Sequence, residues 1–217
     1  MQNVGGWVVE TVVGDAQFLH DSVTPSVRTV RVMRPTRAAI VLGSSQSESD
    51  VDLDFCRDHD LDVVRRRSGG GAVFVHPTET VWVDFIIPRG DSLWHDDVAT
   101  AMVWVGDVWL AALERAGMTG LSVHTDRFVR NDWSAALCFA GVGTGEVLSG
   151  ERKAVGISQR RTRDSARFQC SGHLVWRPDI VSGAVPTVRS DADRLDGLVA
   201  CLPSNFDGTD VVAVLPP

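Results

Sequence analysis

The sequence predicts a single α+β domain, and three observations carry that prediction. Its 217 residues are too few for two domains of ordinary size. Hydrophobic residues make up 44% and charged residues 23%, enough apolar material for one sizeable core. Short β-rich runs are interrupted by only a few helical patterns, the order of an α+β domain rather than of an alternating βαβ sheet. The formal charge of −7 argues against general affinity for nucleic acid, although arginines cluster at Arg65, Arg66 and Arg67 and again at Arg160, Arg161 and Arg163. A local anionic site on an acidic body fits both facts. Residues 1–10 carry no basic, apolar leader, and no apolar run approaches the roughly 20 residues of a membrane span, so cytoplasmic residence is expected.

Taken in order, residues 14–23 predict a short amphipathic helix capped by Asp15, with Phe18 and Leu19 inward and Pro25 beyond its end. Residues 30–32 and 38–42 read as strands joined by a turn at Pro35, followed by a polar loop at 43–46. A helix over 49–59, with Asp50, Asp52 and Asp54 near its start, leads to a strand at 61–64. A strand at 80–87 ends at Pro88. Residues 96–116 give the longest helical pattern, with Val98, Met102, Val105, Trp109, Leu110 and Leu113 along one side and Gly117 as its stop. Strands follow at 136–139, 145–148, 153–162 and 166–176, the last two joined through Arg163 and Asp164. A helix over 190–202 and a strand or tail at 211–215 close the chain.

Two stretches carry chemistry. The first is Arg65-Arg66-Arg67-Ser68-Gly69-Gly70-Gly71-Ala72, set between the strand at 61–64 and another at 73–75. Glycines there allow positive φ and let a ligand lie against backbone N–H groups, while the cations favour a phosphate or carboxylate. Alone, the same residues make a glycine-rich hairpin with a solvated basic flank. No Gly-Lys-Ser/Thr follows and no helix opens after the glycines, which excludes a P-loop and a dinucleotide fingerprint. The second stretch is Lys153-Ala154-Val155-Gly156-Ile157-Ser158-Gln159-Arg160-Arg161, where a lysine enters a half-buried strand. Such a lysine often snorkels at the surface, but it can also aim its ammonium at a carbonyl or phosphate. It is the only lysine among the 21 lysine and arginine residues. Cys56, Cys138, Cys170 and Cys201 are widely separated, with no zinc spacing, so reduced thiols are expected. Cys56 and Cys201 fall on predicted helices and read as packing.

Together the Arg-Arg-x-Ser-Gly-Gly-Gly-Ala-Val loop and the Arg-Lys-x-x-Gly-x-x-Gln-Arg-Arg strand resemble the catalytic domain shared by lipoate-protein ligases, the related octanoyltransferases and, more distantly, biotin-protein ligases. That resemblance implies a central, largely antiparallel or mixed β-sheet flanked by helices, spanning residues 1–217 without a separate accessory domain. It implies substrate-binding roles for Arg66, Ser68, Gly69, Gly70, Gly71, Ala72, His76, Gly156 and Gln159. Lys153 would hold the acyl carbonyl, and no metal ligands are assigned. The sequence departs from the family at Val75, where a histidine is frequent and where His76 stands one place later. The family's Gln-His-Gly-Ser stretch appears as Gln169-Cys170-Ser171-Gly172-His173, and residues 80–87 lack an asparagine.

The leading expectation is a ligase that uses ATP and Mg²⁺ to activate lipoate or octanoate and attaches it to a lysine of an acceptor domain, such as a 2-oxoacid dehydrogenase E2 or the glycine-cleavage H protein. Cys138-Phe139, fifteen residues before Lys153, resembles the Cys-Phe of cysteine-dependent octanoyltransferases, which take octanoate from an acyl carrier protein and need neither ATP nor metal. A buried structural cysteine is the alternative for Cys138, and Cys170 is the rival nucleophile. A non-catalytic acyl-binding or interaction protein is the third possibility. Neither nucleic acid nor membrane is an expected partner.

Overall fold

A computed structural model describes residues 2–217. The elements run β1 (Gln2–Val4), β2 (Trp7–Gly14), α1 (Ala16–Asp21), β3 (Thr29–Pro35), β4 (Ala39–Leu42), α2 (Leu53–Asp58), β5 (Asp62–Arg65), β6 (Val73–Val75) and β7 (Thr80–Pro88). They continue with α3 (Thr100–Arg115), β8 (Leu121–Val123), β9 (Val147–Ser149), β10 (Arg152–Arg161), β11 (Ser165–His173), α4 (Pro178–Ala184), α5 (Ala192–Leu195) and α6 (Gly208–Val212). Eight strands form a mixed sheet in the order β1-β2-β3-β7-β11-β10-β9-β8, in which only β2 and β3 run parallel. The remaining three form a small sheet, β5-β4-β6, with β4 in the middle. This is the mixed, helix-flanked α+β architecture that the sequence predicts.

Side-chain alternation explains the layering. On β7, Val81, Val83, Phe85 and Ile87 belong to the core under α3, where Val105, Trp109 and Leu113 meet them. Trp82, on the opposite face of β7, packs with Val41 of β4, Val73 and Val75 of β6, and Leu19 of α1. The small sheet therefore covers the other face of the large one. Its own outer side chains, Ile40, Leu42 and Phe74, are buried by Val181 of α4, Val188 and Leu195. Each such side chain stabilises the fold by about 1.5–3 kcal/mol.

Several elements differ from expectation for identifiable reasons. The helix begins at Asp15 as predicted, its carboxylate accepting from the Phe18 N–H, but Phe18 is exposed and only Leu19 turns inward. The expected helix over 49–59 breaks at Val51, which is extended, and restarts at α2 under an Asp52 cap. Residues 136–139 are a turn rather than a strand. Asn131 organises it: its side chain accepts from the Trp133 N–H and donates to the Ala140 carbonyl at 2.8 Å, local bonds that replace a ladder. The predicted C-terminal helix is broken into short turns around α5, and Cys201 lies exposed outside any helix. Residues 211–215 expected as strand begin in α6, nucleated by a reciprocal Asp207/Asp210 capping box. Val98 precedes α3 and is exposed. Strands β1, β2 and β8 and helix α4 had no counterpart in the sequence reading. No helix among the described residues is long and apolar enough to cross a membrane.

Candidate functional site

The glycine stretch is not a hairpin, because β5 and β6 both pair with β4 and lie on either side of it. Residues 66–72 must therefore cross over the end of β4. There the backbones nearly touch: a Cβ on Gly43 would fall 1.7 Å from the Gly70 carbonyl oxygen. Gly70 itself has φ +101, a conformation closed to most side chains. Arg66 is buried and spends its guanidinium on the loop, donating to the Gly69 carbonyl at 2.8 Å and the Gly71 carbonyl at 3.1 Å. The expected phosphate ligand is thus a brace for the loop.

The loop in turn holds the turn that carries Cys138. The Ala72 N–H donates to the Ala136 carbonyl at 2.8 Å and the Cys138 N–H to the Ala72 carbonyl at 3.0 Å. Ala72 contributes its backbone here rather than a ligand surface. A Cβ on Gly70 would lie 2.8 Å from Arg66 Nη2 and 3.5 Å from the Cys138 sulfur, so the glycine lets the loop pass close over the thiol.

Strand β10 brings in the lysine. The register against β9 slips between Lys153 and Val155, a bulge that releases Lys153 from the face shared by Val155 and Ile157. The sequence suggests a half-buried lysine, but this one is 1% exposed. Its Nζ lies 2.6 Å from Glu146 Oε2 and donates to the Cys138 carbonyl at 2.8 Å. Glu146 is fixed by the Gly143 N–H at 2.7 Å and the Ile157 N–H at 3.1 Å. The ammonium therefore grips the backbone of Cys138, not its sulfur.

Two cavities meet at this point. A narrow slot of about 30 Å³, the room of roughly one water, lies between the sheets and is walled by Val41, Val73, Val75, Trp82, Gly156 and Cys170, with His20, Arg66, Gln169 and Ser171 also lining it. A wider cavity of about 290 Å³ is lined by Gly69, Gly70, Gly71, Met102, Phe128, Glu146, Lys153 and Gln159. Cys138 and Ser158 line both. The glycine loop and Lys153, about eighty residues apart in sequence, thus face one cavity. The carboxamide nitrogen and oxygen of Gln159 are buried there with no hydrogen-bond partner among the described residues.

A polar relay closes the slot. Ser68 Oγ donates to Gln169 Oε1 at 3.0 Å and sits 3.1 Å from Ser158 Oγ, and Gln169 Nε2 lies 2.9 Å from His20 Nδ1. Burial, reinforced by the Arg66 and Arg167 charges, pushes His20 down to about 3, so its neutral Nδ1 accepts from the glutamine. Cys170 is buried in the wall of the slot, where burial, then the nearby Asp84 carboxylate, raises its thiol well above the usual range and disfavours the thiolate.

His76 is not part of the site. It lines neither cavity and lies 3.9 Å from Glu79 across a turn. Arg161 is likewise engaged elsewhere, donating to the Asp96 carbonyl and stacking on Trp94. Sequence reasoning missed Glu146, Ser158, His20 and Gln169 as site residues.

Among solved structures, a T. acidophilum protein with bound lipoic acid superposes with a TM-score of 0.67 at 15% identity, over 94% of this chain and 79% of that one. A lipoate-protein ligase A bound with ATP gives 0.67 at 16% identity, over 97% and 81%. These likenesses define the class by fold: the lipoate-ligase catalytic architecture. The model of the lipoyl protein ligase A/B catalytic domain matches residues 15–191, and the chain belongs to that family. A curated relative, Octanoyltransferase LipM of Clostridioides difficile (strain 630), is 26% identical over 125 residues, which is 57% of this chain and only 45% of the relative.

Proposed function

We propose that this chain is a cysteine-dependent acyltransferase that moves a medium-chain acyl group, of the octanoyl type, from a carrier thioester to the side-chain amine of a lysine on a lipoyl-acceptor domain. The observation that carries the reading is the position of Cys138: it lines both cavities, beneath Gly70, on a turn where its own carbonyl accepts from Lys153. In the first step the Cys138 sulfur attacks the thioester carbonyl, the new C–S bond forms as the carrier's C–S bond breaks, and the Cys138 proton leaves on the carrier thiol. In the second the acceptor amine attacks the acyl-Cys138 thioester, the C–N bond forms, the C–S bond breaks, and the amine proton ends on the Cys138 sulfur. Lys153 stands where oxyanion charge develops. The acyl tail enters the apolar slot by displacing the side chains that close it, and gains about 0.8 kcal/mol per buried CH₂.

ATP and Mg²⁺, which ligases of the family would use, fit these residues poorly. The two buried cations lining the cavities are already engaged, Arg66 by two carbonyls and Lys153 by a carboxylate, and that carboxylate would oppose a phosphate. Among the described residues no group of three His, Cys, Asp or Glu side chains could hold a metal ion.

Incubation with an octanoyl carrier, without ATP, should leave a hydroxylamine-sensitive acyl group on Cys138, seen by intact mass. Cys138→Ser should lose the adduct and the transfer to an acceptor domain together. Transfer that needs ATP and lipoate, with Cys138→Ser retaining most activity, would establish the ligase reading instead.

A further inference from the structure

We propose that Glu146 is the positioning residue of this site: with the Cys138 carbonyl it takes two of the three N–H donors of Lys153 and leaves the third aimed into the cavity as a fixed donor. The inference rests on the acyl-transfer reading and deepens it. A lysine ammonium has three rotatable donors on a flexible stem, so without restraint none has a fixed direction. Here the stem is sealed by the bulged strand, Glu146 Oε2 lies 2.6 Å from Nζ, and the Cys138 carbonyl accepts at 2.8 Å. No third acceptor for Nζ is present among the described residues, and Lys153 lines the 290 Å³ cavity beside Cys138, where an acyl carbonyl would supply one.

Glu146 is itself immobilised. Two backbone N–H groups from different segments, Gly143 before it and Ile157 on β10, hold its two oxygens at 2.7 and 3.1 Å. Each oxygen is thus met by a backbone donor, which fixes the orientation of the carboxyl group. The pair therefore holds Lys153 as a fixed donor rather than as a base that takes a proton in each half-reaction. The proton balance agrees, since the amine proton finds its acceptor on the departing Cys138 sulfur and no lysine base is required.

The test uses the full chain with Glu146→Gln, Lys153→Met and the double variant. Single-turnover acylation of Cys138 by an octanoyl thioester should slow about 100-fold in Glu146→Gln, with the half-saturating thioester concentration unchanged, as expected for a lost transition-state contact. The double variant should be no slower than Lys153→Met alone, because Glu146 acts through the lysine. Since Lys153 is the only lysine, protein grown on isotopically labelled lysine gives one ammonium resonance. Its protons should be protected from exchange in the wild type and lost in Glu146→Gln. Wild-type acylation by Glu146→Gln, or losses that multiply in the double variant, would overturn the proposal. If the wild type forms no Cys138 adduct, the acyl-transfer reading falls, and the lysine resonance still decides: an unprotected wild-type ammonium overturns the positioning role, and protection abolished by Glu146→Gln supports it.

Discussion

Two buried ion pairs anchor the large sheet, and they are finished differently. Arg167 and Asp84 meet at 2.6 Å, and every nitrogen of the guanidinium is engaged: Arg167 also donates to the carbonyls of Leu19 at 2.7 Å and His20 at 3.0 Å, while Trp82 donates to the other Asp84 oxygen. That pair fastens α1 to the sheet and faces neither cavity. Lys153 and Glu146 meet at the same distance, yet the lysine keeps one donor free beside a cavity of about 290 Å³. Burial alone thus says little about function. What separates the two is saturation: a completed network holds structure, and an incomplete one facing a cavity awaits a ligand.

The sharpest way to break this comparison is Lys153→Met. Acyl transfer to an acceptor domain, followed by mass spectrometry, should fall by about 10³-fold or more with the loss of a positioned cation. The same change should cost about 3–5 kcal/mol in urea unfolding, because Glu146 is left buried and unpaired.

Arg167→Met should give the mirror image. Unfolding should lose about 3–5 kcal/mol, while acylation of Cys138 per folded molecule stays within about tenfold of wild type, as for a residue that touches no reacting atom. A stable Arg167→Met protein with lost chemistry would erase the distinction between the pairs.

A smaller effect tests the surroundings of each pair. His173 is buried between Phe139 and Trp176 with no partner for either nitrogen among the described residues, and burial pushes it down to about 4. The unfolded chain takes up that proton near pH 6.5 and the folded one resists it. The stabilising contribution is therefore complete above about pH 6.5 and lost as pH falls toward 4, at roughly 1.4 kcal/mol per pH unit. His20, beside Arg167, adds a second loss that continues toward pH 3. Denaturation across this range should show the decline, and His173→Phe should flatten the part above pH 4.

The long strands were legible because apolar runs such as residues 80–87 are bounded by turn signals and need only local reading. The Asp15 cap was legible for the same reason. Residues 131–140 were not, since the bonds of Asn131 overrule the apolar Ala136, Leu137 and Phe139 that suggested a strand. The valines at 211 and 212 suggested a strand too, but the Asp207/Asp210 box turns them into a helix. At the site, glycine loop and lysine were found by identity and order. Glu146 was not, because nothing marks it among 28 acidic residues until Gly143 and Ile157 fold around it. Arg66 was found, but its charge turned inward to brace its own loop.

The sealed lysine has one more consequence. Twenty of the 21 lysine and arginine residues are arginine, and the remaining one is Lys153, 1% exposed. Guanidinium groups stay protonated and are poor nucleophiles toward a thioester. For the acyl transfer proposed above, the chain thus offers no exposed lysine of its own to compete with the acceptor for the acyl group.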